Sequence, residues 1–158
     1  MKKRGSTLIE LMIVIAIIAI IAAIAIPNLI QARKHGNETA AIGALKTIST
    51  SEAIYREGDK EGDGNLDYGM LSELSSTQLI DSILGGGTKQ GYLFQAGYST
   101  TTSEFLWFGV ANPAVATTTG DRYFETNQAG VIYYTSAGTL ALNTGTCGLD
   151  TTVVPVGK

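Results

Sequence analysis

Between residues 59 and 67 the chain runs Asp59-Lys60-Glu61-Gly62-Asp63-Gly64-Asn65-Leu66-Asp67, with an oxygen-bearing side chain at every second position. Gly64 stands where a calcium loop makes its sharp turn, so Asp59, Glu61, Asp63, Asn65 and Asp67 are candidate calcium ligands. The bidentate glutamate that closes an EF-hand loop is missing: Met70 holds that position, and Glu73 comes only in the following turn. A solvated, glycine-rich connection fits the same residues. The chain has one His and one Cys, which excludes a multi-cysteine zinc site, an internal disulfide framework and most histidine-based catalysis. His35, between Lys34 and Gly36, has no ligand partner in view and reads as a solvated residue. No nucleophile–base pair or phosphate loop appears, so no enzyme is expected.

The second residue with chemical meaning is Glu10, an acid at the entry of an apolar run. Residues 11–26 are sixteen consecutive apolar residues, mostly Ile and Ala, and Leu8, Ile9, Leu29 and Ile30 extend the run. About 20 helical residues cross a bilayer core, so this segment is long enough to span one. Lys2-Lys3-Arg4 precedes it, which orients the N-terminus to the cytoplasm and the remainder outside. A cleavable secretory signal has a similar start, and Ala23-Ile24-Ala25 resembles its cut site. A plain anchor explains length and flanks, with Glu10 merely capping the helix. An ionised carboxylate within a membrane is costly, although the positive end of the helix dipole lowers that cost at Glu10. Pro27 removes a backbone hydrogen bond, so the helix is expected to kink or melt there, with Asn28 able to satisfy freed groups.

The string Lys2-Lys3-Arg4-Gly5-Ser6-Thr7-Leu8-Ile9-Glu10-Leu11 resembles the leader and cleavage site of type IV prepilins and type II secretion pseudopilins. The likeness extends to Ile26-Pro27-Asn28. It implies a structural filament subunit with a long N-terminal helix packed on a small antiparallel sheet, an α+β fold. It further implies a cut between Gly5 and Ser6 by a membrane-embedded prepilin peptidase and methylation of the new amino terminus at Ser6. The family usually carries Phe or Met where this chain has Ser6. Assembly residues are then Glu10, pairing with the amino terminus of a neighbouring subunit in one axial register, and Pro27, a hinge for repacking from membrane to filament. The implied partners are identical or related pilin subunits, the peptidase and an inner-membrane assembly platform. The precursor is expected as a single-pass protein of the bacterial inner membrane, its head periplasmic or extracellular. Pilins often close their C-terminal region with a disulfide, which a lone Cys147 cannot do internally. A compact acidic head, a candidate calcium loop and no internal disulfide favour a secretion pseudopilus over a pilus. The alternative is a membrane-tethered extracytoplasmic binding module that does not polymerise.

The composition separates the elements that carry these residues. Of 158 residues, the first 55 hold six basic groups and three acids, and the remainder five basic groups and eleven acids. Tyr55 is the only aromatic in the first 55 residues, which also hold three of the nineteen glycines. The acidic remainder lacks the basic footprint of a nucleic-acid binder. The expected organisation is a leader over 1–5, a transmembrane and filament-core helix over 6–30, its amphipathic continuation over 31–57, and a head over 58–158. Leu29, Ile30, Ala40, Ala41, Leu45, Ile48 and Tyr55 form the apolar stripe of that continuation, with His35-Gly36-Asn37 a weak point inside it. Helical turns are expected between 68 and 84, ending at Gly85-Gly86-Gly87. Strands are expected over 91–96, 105–111, 122–125 and 131–135, the last two joined by a hairpin at Asn127-Gln128-Ala129-Gly130. Tyr92, Phe94, Phe105, Trp107, Phe108, Tyr123, Phe124, Tyr133 and Tyr134 read as sheet core. The Thr- and Gly-rich tail, with Val153, Val154 and Val156, fits either an edge strand or a loose end.

Overall fold

The computed structural model describes residues 7–62 and 64–157. The expectations for Gly5, Ser6 and Asp63 therefore lie outside the described residues. One long helix, α1 (Leu8–Glu57), is followed by two short ones, α2 (Leu71–Ser76) and α3 (Ser82–Gly85). The strands among the described residues are β1 (Thr88–Lys89), β2 (Tyr92–Tyr98), β3 (Trp107–Pro113), β4 (Tyr123–Asn127), β5 (Ile132–Thr135) and β6 (Val154–Pro155). They form one antiparallel sheet in sequence order. The chain divides into two compact units, Met1–Arg33 and Lys34–Lys158.

In the second unit the helix buries Lys34, Glu38, Ala41, Leu45, Ile48, Glu52 and Tyr55. Their spacing alternates between four and three residues, which keeps them on one face of a 3.6-residue helix. Leu45 and Ile48 are fully enclosed, in a core with Leu74, Leu84, Tyr92, Phe94, Trp107, Ala111 and Phe124. Leu29 and Ile30, expected in the stripe, are exposed. The anticipated weak point at His35-Gly36-Asn37 is unbroken helix. Asn37 has a specific use there, its side-chain amide donating to the Thr119 carbonyl at 2.9 Å.

Every residue of β3 is buried, because this strand is covered on both faces. Trp107 and Ala111 point into the helix-side core, and Phe108 and Val110 point the other way, against Leu140 and Cys147. Alternation along a strand sends these two sets to opposite faces. The second face is covered by the tail, whose Leu142, Leu149 and Val153 pack there too, and Val154–Pro155 adds the short edge strand. The hairpin at 127–130 forms as its residues require. Gly130 takes φ +71°, and its N–H donates to the Asn127 carbonyl at 2.8 Å. Phe105 is corrected: it is 62% exposed and lies before β3, in a turn where its N–H donates to the Thr102 carbonyl.

Two substitutions in α1 separate packing from propensity. Leu45→Ala empties a fully enclosed position and should cost about 3 kcal/mol. At Gly43 an added methyl group would meet nothing within 4 Å, so Gly43→Ala should add about 0.5–1 kcal/mol through helix propensity. Urea titration of the full chain in detergent micelles reads both, as midpoints moving in opposite directions.

Candidate functional site

The N-terminus of α1 is closed by a reciprocal pair. The Thr7 N–H donates to Glu10 Oε2 at 2.7 Å, and the Glu10 N–H donates to Thr7 Oγ1 at 3.3 Å. This is a capping box: Thr at the cap position and Glu three residues on each satisfy a backbone donor that the helix leaves open. The carboxylate is thereby held at the positive end of the helix dipole. Reading the sequence for charge and hydropathy passes over Thr7, although Thr-x-x-Glu before an apolar run is the signal that finds it. Behind the box, the large apolar side chains from Leu8 to Ile30 are between 48% and 77% exposed. The helix is long and apolar enough to cross a membrane. It continues through Pro27 without a break, so Pro27 costs the Ala23 carbonyl its usual donor without ending the helix.

Among the described residues of the acidic loop, the carboxylates of Asp59, Glu61 and Asp67 have separate partners. The Asp59 carboxylate accepts the N–H groups of Gly62 and Gly64, both at 3.1 Å. Glu61 Oε1 accepts the Tyr55 hydroxyl at 2.8 Å, and Asp67 Oδ1 accepts the Ser103 hydroxyl at 3.0 Å. Gly62 and Gly64 supply the positive φ angles that such a tight turn demands. Among the described residues, no three His, Cys, Asp or Glu side chains come together in a way that could hold a metal ion.

Residues 1–26 match the prokaryotic N-terminal methylation motif. Over 106 residues the chain is 36% identical to the type IV wide pilus major component PilA4 of Thermus thermophilus, covering 66% of this chain and 79% of that protein. Over 73 residues it is 42% identical to the type IV major pilin protein PilA of Myxococcus xanthus, covering 46% of this chain and 33% of that one. The chain belongs to the type IV pilin and pseudopilin family. It is a structural subunit assembled through its N-terminal helix, and not an enzyme. No solved structure matches this pilin.

Within the pilin head, the helix is bolted to the start of β4 by charges that hydrophobic patterning passes over. Glu38 is 2% exposed. Its Oε1 accepts the backbone N–H groups of Asp121 and Arg122, at 2.9 and 3.2 Å. Its Oε2 accepts Arg122 Nε at 2.9 Å and lies 2.8 Å from Nη2. The carboxylate is thus saturated, which is the condition for burying it. The Arg122 guanidinium lies over the rings of Phe124 and Tyr134, at 5.4 and 5.3 Å, and the Tyr92 hydroxyl donates to the Arg122 carbonyl. One turn earlier, Lys34 Nζ reaches both oxygens of Asp121, at 2.9 and 3.2 Å. His35 stays mostly in solvent, 3.7 Å from Glu38 Oε2.

Polar pins also fasten the tail. The Asn112 amide exchanges two hydrogen bonds with the Leu140 backbone, at 2.8 and 3.0 Å. The buried Glu125 accepts the Asp150 N–H at 2.9 Å, and desolvation pushes its pKa up. Cys147 is a free, buried thiol whose pKa is raised by the same cause. It packs as a small apolar side chain.

Glu38→Ala leaves a partly buried guanidinium without its carboxylate and should cost about 3 kcal/mol. Lys34→Met breaks an ion pair whose acid is half exposed, and should cost less than about 1 kcal/mol. Both are read as urea midpoints with unchanged slopes.

Proposed function

We propose that this pilin is a major-type subunit of a type IV pilus. The observation that carries this reading is an apolar helical surface of sixteen consecutive residues, exposed along its length and closed at its N-terminus by Thr7 and Glu10. Such a surface is stable only in lipid or against other apolar helices. In the precursor it sits in the inner membrane with Lys2-Lys3-Arg4 on the cytoplasmic side. The prepilin peptidase removes residues 1–5 between Gly5 and Ser6, and Ser6 receives a methyl group. Residues 6–30 then exchange lipid for the helices of other subunits at an inner-membrane assembly platform, with 31–57 continuing the helix and 58–158 forming the head outside. Both curated relatives bear the names of major pilus components, which favours a pilus over a secretion pseudopilus. The candidate calcium loop, one argument for the pseudopilus, has its described carboxylates engaged separately.

Glu10 has two duties in this scheme. Its capping bond to Thr7 holds the carboxylate in place, and the same group meets the amino terminus of a neighbouring subunit. An unpaired charge inside an apolar bundle is costly, so only the register that brings the two together is stable. Pro27 has no backbone N–H to lose when the helix repacks, which makes it the cheapest place for a hinge.

Glu10→Gln should leave membrane insertion and head folding intact while filaments disappear from electron micrographs. A tether that does not polymerise would tolerate that change, and abundant filaments from the variant would defeat the assembly reading. Gly5→Leu should leave the chain starting at Met1 in intact-mass measurements, where the unaltered chain starts at Ser6 with one added methyl group.

A further inference from the structure

Glu52 lies on the buried face of α1 with none of its surface exposed. Its Oε2 accepts the Gly69 N–H at 2.9 Å. Its Oε1 is enclosed and has no hydrogen-bond partner among the described residues. The contrast with Glu38 is direct, since that carboxylate has donors on both oxygens. A carboxylate with one donor in an enclosed site is strongly disfavoured, whereas the neutral acid is tolerated. The titratable groups that face Glu52 add no compensation. Glu73, from α2, adds negative charge. Tyr55, from α1 itself, is a phenol whose hydroxyl is committed to Glu61 in the connecting segment. Burial therefore pushes the Glu52 pKa from 4.5 to about 8, with the Gly69 N–H pulling it down and Glu73 adding to the rise.

Gly69 belongs to the segment between α1 and α2 and lies close against α1. A Cβ on it would stand 3.0 Å from the Tyr55 ring, so a side chain there would press on that ring. The Tyr68 ring also packs against the core beside Trp107, and the segment's hydrogen bonds to Ser103 are only half-buried. Tyr68 N–H reaches the Ser103 carbonyl at 3.3 Å, and Asp67 takes the Ser103 hydroxyl in a half-buried pair. The bond from Gly69 to Glu52 is fully buried.

We propose that Glu52 is a proton-operated latch for residues 64–70. While it keeps its proton it stays enclosed and holds the segment closed on α1. When it loses the proton it draws in water, and the segment opens over Tyr55 and the start of α2.

The sign follows from the two forms. Closed, the group titrates near 8; opened to solvent, it titrates near 4.5. Between those values the closed form binds more protons, so closure is complete at lower pH and weakens as pH rises, and it reaches a floor above about 8. Hydrogen exchange of the full-length chain in detergent micelles tests this. Protection at the Gly69 amide, corrected for intrinsic rates and referred to β3 amides, should fall about tenfold per pH unit between about 5 and 8 and then level off. Glu52→Gln should remove the pH dependence. Glu73→Gln, which takes away a neighbouring negative charge, should bring the levelling-off to lower pH. Constant protection in the unaltered chain, or the same fall in Glu52→Gln, overturns the latch. If Glu52→Gln also loses β3 protection and so fails to fold, the Glu73→Gln arm decides: a shifted floor supports the latch and an unmoved one overturns it.

Discussion

The constraint on which the rest depends is the apolar surface of the first half of α1. Its isoleucines and leucines are exposed in the single chain, and the hydrophobic clusters among the described residues draw nothing from before Ala41. Burying each large aliphatic side chain is worth roughly 1.5–3 kcal/mol, so a run of this length holds more free energy than the roughly 5–15 kcal/mol that stabilises a typical domain. The segment must find lipid or other helices. Membrane anchoring and assembly through this helix are consequences of that demand.

A helix so apolar at one end must become something else at the other. From Lys34 onward α1 keeps its helical spacing but changes the chemistry of its buried face, where Lys34, Glu38 and Glu52 stand among Ala41, Leu45, Ile48 and Tyr55. These charges give direction where aliphatic contacts would not. Glu38 accepts bonds at fixed angles from two consecutive backbone N–H groups and one guanidinium, which admits one placement of the 119–122 segment. A face of leucines would allow sliding. The same preference for polar pins appears in the tail, where Asn112 and Glu125 hold the segment that contains the free Cys147. The sheet's edges are short: β1 and β6 have two residues each, and Pro155 sits on one of them. Short edges of that kind resist strand addition.

Much of this is legible in the sequence because it is written in local patterns. The apolar run, the basic residues before it, Glu10 and the hairpin at Asn127 to Gly130 depend on neighbours within a few residues, and the four expected strands match β2 to β5 closely. What local pattern leaves open has another cause. Phe105 reads as a strand residue by composition, but a turn from Thr102 ends before β3 begins. The acidic loop reads as a ligand set by spacing, yet Asp59, Glu61 and Asp67 turn to the backbone, to Tyr55 and to Ser103. Each outcome was decided by a partner distant in sequence or by which way a side chain turned, and neither is visible in a string of residue types.

By itself, then, the amino-acid order determined that this protein has a membrane-competent helix, a processing signature and a small antiparallel head, because hydrophobic periodicity and turn chemistry act over short distances. Only the tertiary structure decided which charges are buried. Glu38 and Glu52 occupy equivalent places on one helical face, but the first meets Arg122 and two backbone donors, while the second meets the single N–H of Gly69. The ionisation of a carboxylate depends on the donors and solvent around it, and those are assembled by strands and loops far along the chain.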